Sequence, residues 1–255
     1  MSDGHLSGKH AVVTGGGRGI GAAIARALAQ HGATLTLMGR DRARLESRSR
    51  ELAAQPVTVD VADADSVAAA FEQATAASGA VHILVNNAGA AASAPFVRTD
   101  LGLWKQMLEI NLTGTYLCCK QALPGMLDSG FGRVVNIAST AGLTGYPFVT
   151  AYCAAKHGVV GLTRALALET ARRNVTVNAV CPGYTETDLL GDAIANIVRT
   201  TGKSEAEARA ALLSRNPQRR MMRPEEVANA ALWLCLPGSE AITGQAIAVA
   251  GGELL

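Results

Sequence analysis

The fold is decided near the start of the chain by the stretch Ala11-Val12-Val13-Thr14-Gly15-Gly16-Gly17-Arg18-Gly19-Ile20-Gly21. Its first four residues form an apolar, β-branched run, which predicts a buried strand. The residues at 22–31 repeat apolar side chains at helical spacing. Glycines let a backbone approach a pyrophosphate closely, and the start of a helix offers free N–H groups to its charge. The stretch therefore predicts a strand, a phosphate-binding turn and a helix, with a flexible loop as the less favoured alternative.

The same alternation of strand and helix continues along the chain. Further strands are expected near 34–38, 57–60, 83–86, 134–138, 176–180 and 246–249, and further helices near 43–54, 65–77, 101–129, 151–172 and 224–236. Most strands are apolar throughout, which is typical of a parallel sheet that is covered on both faces. We therefore predict one α/β domain over residues 1–255, a doubly wound parallel sheet of the Rossmann type with about seven strands. Such sheets bind ligands beyond the carboxyl ends of their strands.

Composition narrows the possible functions. The net charge is +2 and charged residues make up 17% of the chain, so no nucleic-acid partner is expected. The five cysteines have no zinc-like spacing, which favours reduced thiols in the cytoplasm and no metal site. No apolar stretch reaches about 18 residues, so no membrane segment is expected.

A tyrosine and a lysine, Tyr152 and Lys156, lie four positions apart on the helix expected at 151–172. Residues at this spacing share one helix face, so the lysine charge is expected to lower the tyrosine pKa below its ordinary ~10. A tyrosine tuned in this way can exchange a proton with an alcohol. A surface tyrosine beside a surface lysine is the alternative. Tyr146 is a competing phenol, but no lysine follows it four residues later.

These motifs together resemble the short-chain dehydrogenase/reductase family, in its shorter single-domain branch. The resemblance rests on several segments that occur in the family order: Thr14-Gly15-x-x-x-Gly19-x-Gly21, Asp60-Val61, Asn86-Asn87-Ala88-Gly89, Asn111, Ser139, Tyr152-x-x-x-Lys156 and Pro182-Gly183. It extends from about Lys9 to Gly252. It implies a nicotinamide-dependent oxidoreductase, and a homotetramer that assembles through the long helices at 101–129 and 151–172; sequence alone does not separate a homodimer from a homotetramer.

The resemblance also implies catalytic roles. Tyr152 would donate the proton to the substrate oxygen, and Ser139 would donate a second hydrogen bond to it. Lys156 would tune the tyrosine and bind the nicotinamide ribose. Asn111 would kink its helix and hold a water that links Lys156 to solvent.

A larger set of residues is expected by resemblance to contact the cofactor. These are Gly15, Gly17, Arg18, Gly19, Ile20, Gly21, Arg40, Asp60, Val61, Asn87, Ala88, Gly89, Tyr152, Lys156, Pro182, Gly183, Thr185 and Thr187.

The residues after the second strand indicate which cofactor is used. Gly39 stands where an acid would bind the ribose hydroxyls of NAD(H), and Arg40 follows it. Together with Arg18, Arg40 could hold a 2′-phosphate between two guanidiniums. NADP(H) is therefore the preferred prediction, and Asp41 leaves NAD(H) possible.

Residues 187–223 interrupt the alternation directly after the sixth strand. They contain an amphipathic segment and a second short helix expected at 204–213. We predict a mobile lid over the substrate, with a packed surface excursion as the alternative.

The chain is similar to relatives that reduce 3-oxoacyl thioesters and to 3-hydroxyacyl-CoA dehydrogenases. The substrate prediction is therefore a 3-oxoacyl group on coenzyme A or a carrier protein. Another small secondary alcohol, sterol or sugar is the alternative, as is a non-catalytic nucleotide-binding scaffold. Two sets of arginines fit a thioester weakly: Arg133 and Arg173 for a carrier protein, and Arg215, Arg219, Arg220 and Arg223 for a coenzyme A phosphate.

Overall fold

Seven parallel strands form one sheet in the computed structural model, which describes residues 4–254. The strand order is β3-β2-β1-β4-β5-β6-β7. The strands are β1 His10–Thr14, β2 Thr34–Gly39, β3 Gln55–Thr58, β4 Ile83–Asn86, β5 Gly132–Ile137, β6 Val175–Pro182 and β7 Ala246–Val249. Because β1 pairs with both β2 and β4, the direction of winding reverses there, and a crevice opens between the ends of β1 and β4.

Helices cover both faces of this sheet. They are α1 Gly19–Gln30, α2 Arg42–Leu52, α3 Ala64–Ser78, α4 Leu101–Leu108, α5 Gly114–Ser129, α6 Thr150–Thr170, α7 Asp188–Thr201, α8 Glu205–Leu213 and α9 Pro224–Trp233. A π-helical turn at Glu109–Thr113 joins α4 to α5. The predicted fold is confirmed.

The two core layers explain why the strands are apolar throughout. Val13 packs into the layer beneath α1 and α9, whereas its neighbour Val12 packs into the opposite layer beneath α3 and α5. Successive side chains of a strand point to opposite faces, so a strand buried on both sides needs an apolar residue at each position.

Two differences from the sequence prediction affect residues of the predicted site. The third strand ends at Thr58, so Asp60 and Val61 lie in the turn beyond it rather than closing it. The helix expected at 101–129 is interrupted at Glu109–Thr113, where the backbone takes a wider π turn. Periodicity alone does not reveal such a turn, since the apolar spacing is maintained on both sides of it.

Within residues 4–254, no helix combines the length and the apolar character needed to cross a membrane. The same part of the chain contains no group of three or more side chains suited to hold a metal ion.

Candidate active site

A crevice of about 1090 Å³ opens at the carboxyl ends of the strands. Almost every residue that the sequence places in the site lies on its wall. The predicted residues that line it are Gly15, Gly17, Arg18, Gly19, Ile20, Arg40, Asp60, Val61, Asn87, Ala88, Gly89, Asn111, Ser139, Tyr152, Lys156, Pro182, Gly183, Thr185 and Thr187. The structure thus brings together segments that are as much as 170 residues apart in the chain, since Arg18 contacts Asp188.

The glycine turn forms one end of this crevice. Gly15 and Gly19 adopt φ values of 65° and 53°, which favour glycine. The side chain of Asn87 fastens the turn to the end of β4, because its Nδ2 donates to the Thr14 and Gly15 carbonyls at 3.0 and 3.2 Å. A Cβ on Gly15 would lie 2.7 Å from that Nδ2, so no larger residue fits.

The first N–H groups of α1 have no side-chain cap. The N-cap Arg18 makes no capping hydrogen bond, and the first turn contains no acidic residue. By contrast, α2 begins with Asp41, whose carboxylate accepts from the Arg44 N–H. Uncapped N–H groups and the positive helix end form a site for a phosphate. The residues present therefore fit a dinucleotide pyrophosphate.

Gly21 is an exception among the residues expected to contact a cofactor, since it does not line the crevice. A Cβ there would lie 2.3 Å from the Gly15 carbonyl oxygen and 2.4 Å from Asn87 Nδ2. Its glycine is required because α1 packs closely against the turn, which makes it a packing residue.

The arginines that line the crevice differ in part from those predicted, since Arg44 lines it together with Arg18 and Arg40. Arg18 Nη1 lies 2.8 Å from Asp188 Oδ2, and Arg44 Nη1 lies 3.1 Å from the same oxygen. Hydrogen bonds from Arg18 and Arg44 lower the pKa of Asp188. Arg40 lines the crevice and is exposed, with no hydrogen bond or ion pair to the rest of residues 4–254. Sequence reasoning missed Arg44, on the first turn of α2, because its contact with Asp188 joins residues 144 positions apart in the chain.

The other expected nucleotide contacts lie along the crevice floor. Asp60 Oδ1 accepts from the Ala62 N–H at 3.0 Å and remains exposed. Thr187 caps α7 through its hydroxyl, and its methyl group lies 3.1 Å from where a Cβ of Gly19 would be. Thr187 therefore joins the start of the segment at 187–223 to the glycine turn.

Tyr152 and Lys156 lie in the first two turns of α6, where both side chains reach the crevice. The Lys156 Nζ lies 5.7 Å from the centre of the Tyr152 ring and donates to the Ile137 carbonyl at 2.9 Å. Ser139 follows the end of β5 by two residues and lines the same crevice as Tyr152. Its Oγ accepts from the Ala141 N–H at 3.1 Å, which fixes the hydroxyl near the end of the strand.

Burial controls the pKa values of this pair. It raises the pKa of Tyr152 to about 12, and the nearby Ser139 hydroxyl opposes this shift only in part. Burial also lowers the pKa of Lys156 to about 8. The expectation that Lys156 lowers the tyrosine pKa is therefore wrong for this structure: loss of hydration outweighs a charge that is directed at a backbone carbonyl. Tyr152 is a neutral phenol at pH 7, the form that can give up a proton.

Asn111 lies at the centre of the π turn and is 1% exposed. Its Nδ2 donates to the carbonyls of Ala90 and Met107 at 2.9 and 3.0 Å, and its Oδ1 accepts from the Ala90 N–H at 3.2 Å. The side chain thus joins the interrupted helix to the loop after β4. The expected irregularity of the helix at Asn111 is present.

The competing phenol, Tyr146, is held away from proton transfer. Its hydroxyl donates to Glu253 Oε1 at 2.6 Å and lies 2.9 Å from Thr140 Oγ1. Burial and the nearby Glu253 carboxylate raise its pKa well above the ordinary value. Tyr152 is thus the phenol placed beside both a lysine and a serine.

The arginines weighed for thioester recognition are mostly engaged elsewhere. Arg133 is 1% exposed, so it cannot contact a carrier protein; it packs on Phe131 and faces Glu240 at 3.6 Å. Arg173 donates to the Leu127 carbonyl at 2.9 Å. Of the second set, Arg220 pairs with both carboxylate oxygens of Glu226 at 2.6 and 2.7 Å.

Arg223 lies 3.9 Å from the same Glu226 carboxylate. Arg215 lies over the Tyr146 ring, 4.9 Å from its centre, and its Nη1 donates to the Gly145 carbonyl. Arg215 is thus the member of this set that contacts a residue of the crevice wall.

Comparison with known proteins gives full-length matches. A family model described as enoyl-(acyl carrier protein) reductase matches residues 15–253. A 3-oxoacyl-(acyl-carrier-protein) reductase of Aquifex aeolicus is 38% identical over 97% of this chain and 98% of that protein. A cis-4-hydroxycyclohexanecarboxylate dehydrogenase of Sinomonas cyclohexanicum is 40% identical over 95% of each. Among solved structures, a variant of actinorhodin polyketide ketoreductase with NADPH has a TM-score of 0.93 and 38% identity, over 98% of both chains.

Proposed function

Because the chain belongs to the short-chain dehydrogenase/reductase family, we propose that it reduces the ketone of a 3-oxoacyl thioester with NADP(H), or catalyses the reverse oxidation. The observation that carries the proposal is the convergence of Ser139, Tyr152 and Lys156 on one crevice with an uncapped helix start. The 3-oxoacyl-(acyl-carrier-protein) reductase from Aquifex aeolicus and the NADPH-bound ketoreductase support the substrate and the cofactor.

The residues of the wall divide the chemistry between them. The nicotinamide supplies the hydride when the coenzyme is bound. Tyr152, neutral with a pKa of about 12, donates its proton to the oxygen that becomes negative. The Ser139 hydroxyl donates a second hydrogen bond to that oxygen, so charge is stabilised where it develops.

Lys156 acts on the tyrosine after proton transfer. Its buried ammonium, 5.7 Å from the ring centre, stabilises the phenolate that is left. Asn111 holds the loop that contains Ala90 in place, and we assign to it the water that returns a proton from solvent to Lys156. In the oxidation direction the same groups carry the proton outward.

The nucleotide is held by the other end of the crevice. We assign the pyrophosphate to the backbone of the turn Gly15–Gly19 and the N–H of Ile20, and the adenine to Asp60 and Val61. The ribose and nicotinamide contacts go to Asn87, Ala88, Gly89, Tyr152, Lys156, Pro182, Gly183, Thr185 and Thr187, all of which line the crevice. A 2′-phosphate is assigned to Arg18, Arg40 and Arg44.

The segment at 187–223 is the proposed lid of this single domain. Its helices α7 and α8 pack on a small core of their own, formed by Leu190, Ile194, Ala208 and Met221. Polar contacts join it to the glycine turn and α2 at Asp188, which pairs with Arg18 and Arg44, and to the loop after β4 at Asn196, whose Nδ2 donates to Ser93 Oγ at 2.9 Å. A unit with its own core can move as one body once such surface contacts are released.

Assembly and location are proposed on separate grounds. Leu168, on α6, is 84% exposed, and a homotetramer formed through the long helices would cover it. The five cysteines form no disulfide, which supports a reducing compartment such as the cytoplasm.

Steady-state kinetics with 3-oxobutanoyl-coenzyme A test the activity and the cofactor together. We expect turnover with a higher kcat/KM for NADPH than for NADH. The Arg44→Ala variant is expected to lower kcat/KM for NADPH by about 10- to 100-fold, since a charge-assisted contact to the 2′-phosphate contributes about 1.5–3 kcal/mol. It should affect NADH much less.

Arg42→Ala is the matched control, since its exposed side chain pairs with Glu46 and does not line the crevice. A higher kcat/KM for NADH, or equal losses for both coenzymes in the Arg44 variant, would contradict the cofactor assignment. No turnover of any thioester would contradict the substrate class.

A further inference from the structure

Four of the ten aromatic residues of the chain line the crevice. Aromatic residues make up 4% of the sequence, yet three of the four tyrosines and one phenylalanine line this crevice. The proposed proton transfer uses only Tyr152. The other three, Tyr146, Phe148 and Tyr184, have no part in it.

Tyr146 is fixed from several sides. Its hydroxyl donates to Glu253 at 2.6 Å, while the hydroxyl of Thr140 lies 2.9 Å away. Its ring meets that of Tyr184 edge to face, with 6.4 Å between the centres and 80° between the planes. Arg215 lies over the Tyr146 ring. An aromatic side chain held by so many contacts presents a rigid apolar surface.

Glu253 is the unusual member of this group. It is 8% exposed, and within residues 4–254 the Tyr146 hydroxyl is the hydrogen-bond partner of its side chain. A Cβ on Gly183 would lie 3.0 Å from its Oε2, so the backbone after β6 passes close to the carboxylate. Glu253 does not line the crevice itself. A buried carboxylate requires a compensating donor, and this one has Tyr146, whose orientation it fixes.

Phe148 is the third of these aromatic side chains. It lines the crevice and is exposed, and its φ of 67° lies in the left-handed region that favours glycine. A bulky residue in that conformation is strained, and strain of this kind is retained at sites where the side chain has a use. Its carbonyl accepts from the Ala94 N–H at 2.8 Å, which holds the strained residue against the opposite rim.

We propose that Tyr146, Phe148 and Tyr184 form an aromatic wall, positioned by Glu253, that selects substrates with a ring next to the reacting ketone over substrates with a methyl group there. The proposal rests on the proposed ketone reduction and narrows its substrate class to aryl or cyclic 3-oxoacyl thioesters. Flat apolar groups stack on aromatic faces and edges, whereas a methyl group covers little of this surface. Tyr146 is the specificity-determining residue and Glu253 its positioning residue.

Two small thioesters that differ in one group provide the test. The probes are the N-acetylcysteamine thioesters of 3-oxo-3-phenylpropanoate and 3-oxobutanoate, each measured with NADPH. We expect wild type to favour the phenyl probe at least tenfold in kcat/KM. Tyr146→Ala should reduce that ratio at least tenfold, mainly through KM for the phenyl probe.

The hydrogen bond between Glu253 and Tyr146 is tested with conservative variants. Glu253→Ala and Tyr146→Phe should each reduce the ratio about three- to tenfold, and the double variant no further, because both remove the same hydrogen bond. Glu253→Gln, whose amide oxygen can still accept from Tyr146, should restore most of the preference. Trp233→Ala, an exposed aromatic residue outside the crevice, and Glu225→Ala, an exposed carboxylate, are the matched controls, both on α9.

The outcomes separate this inference from the proposed function. Reduction of both probes without preference, or equal losses on both in the Tyr146 variant, would overturn the aromatic wall while leaving ketone reduction intact. If neither probe is reduced, the proposed function fails, and calorimetric binding of the two thioesters to the NADP⁺-saturated protein decides the inference. Tighter binding of the phenyl probe that Tyr146→Ala abolishes would support it, and equal binding would overturn it.

Discussion

At the scale of single residues, the site depends on two groups whose protonation is set by burial. Tyr152 keeps its proton until far above neutral pH, and Lys156 holds its proton less firmly than an ordinary lysine. Both shifts have the same cause, since each charged form loses hydration in the crevice wall. At neutral pH Tyr152 is therefore an uncharged proton donor, and the Lys156 ammonium beside it loses its proton more readily than that of an ordinary lysine.

Replacement of Tyr152 by phenylalanine removes only the hydroxyl. We expect kcat for ketone reduction to fall by about 10²- to 10⁴-fold, the usual contribution of a positioned acid. The Kd for NADPH, measured by coenzyme fluorescence, should stay within about threefold of wild type. Tyr116→Phe is the control, and a Tyr152→Phe enzyme that retains more than a tenth of wild-type kcat would contradict the assignment.

The pH profile of ketone reduction should reflect Lys156. Burial lowers its pKa to about 8, so the ammonium is present below that pH and is lost above it. Because the neutral amine cannot stabilise the phenolate, kcat is expected to fall as pH rises through about 8. A plateau that extends past pH 10, where an ordinary lysine loses its proton, would contradict this role.

At the scale of elements, the interrupted helix between α4 and α5 places Asn111 against the loop after β4. The π turn directs one buried amide at three backbone groups, two of them on Ala90. Turns of this kind occur often at functional sites, because they alter the direction of one side chain without ending a helix.

An Asn111→Leu substitution keeps the branched shape of the side chain and removes all three hydrogen bonds. Since a hydrogen bond contributes about 0.5–1.5 kcal/mol to stability, we expect the loss of three to lower the free energy of unfolding by about 2–4 kcal/mol. Urea denaturation followed by circular dichroism measures the change. Asn196→Leu, which removes exposed hydrogen bonds with Ser93 and Arg199, should cost less than about 1 kcal/mol, and equal losses in the two variants would contradict the argument.

At the scale of the whole molecule, the fold and much of the site were predictable because their signals are local. The glycine turn, the buried strands and the pair Tyr152 and Lys156 are each encoded within a few residues. Contacts between distant segments were not. The hydrogen bond between Glu253 and Tyr146 joins residues 107 positions apart, and that between Arg44 and Asp188 joins residues 144 positions apart. No local sequence pattern predicts either contact.

The burial of individual polar side chains is the other property that the local sequence pattern did not predict. The sequence predicts that Arg133 is a surface cation, yet its side chain is buried and packs on the Phe131 ring. The pKa of Tyr152 likewise depends on the residues that surround it in space, and the neighbouring charge alone predicted the wrong direction.

Assembly can be tested through the exposed apolar side chain on α6. Replacement of Leu168 by glutamate is expected to convert a tetramer into smaller species, because a charge would be buried at the proposed interface. Light scattering after size-exclusion chromatography measures the mass. Leu189→Glu, on the lid and also exposed, should leave the mass unchanged, and wild-type mass in the Leu168 variant would contradict an interface there.

The separate small core beneath α7 and α8 has a consequence for engineering. Because this segment folds on its own apolar residues, its outer positions can be exchanged with those of a relative while the glycine turn and the Tyr152–Lys156 pair are left untouched. Chimeras made at 189–213 should therefore keep the coenzyme preference of the recipient and its aromatic wall at Tyr146, Phe148 and Tyr184, so any change in substrate preference would measure what the lid alone contributes.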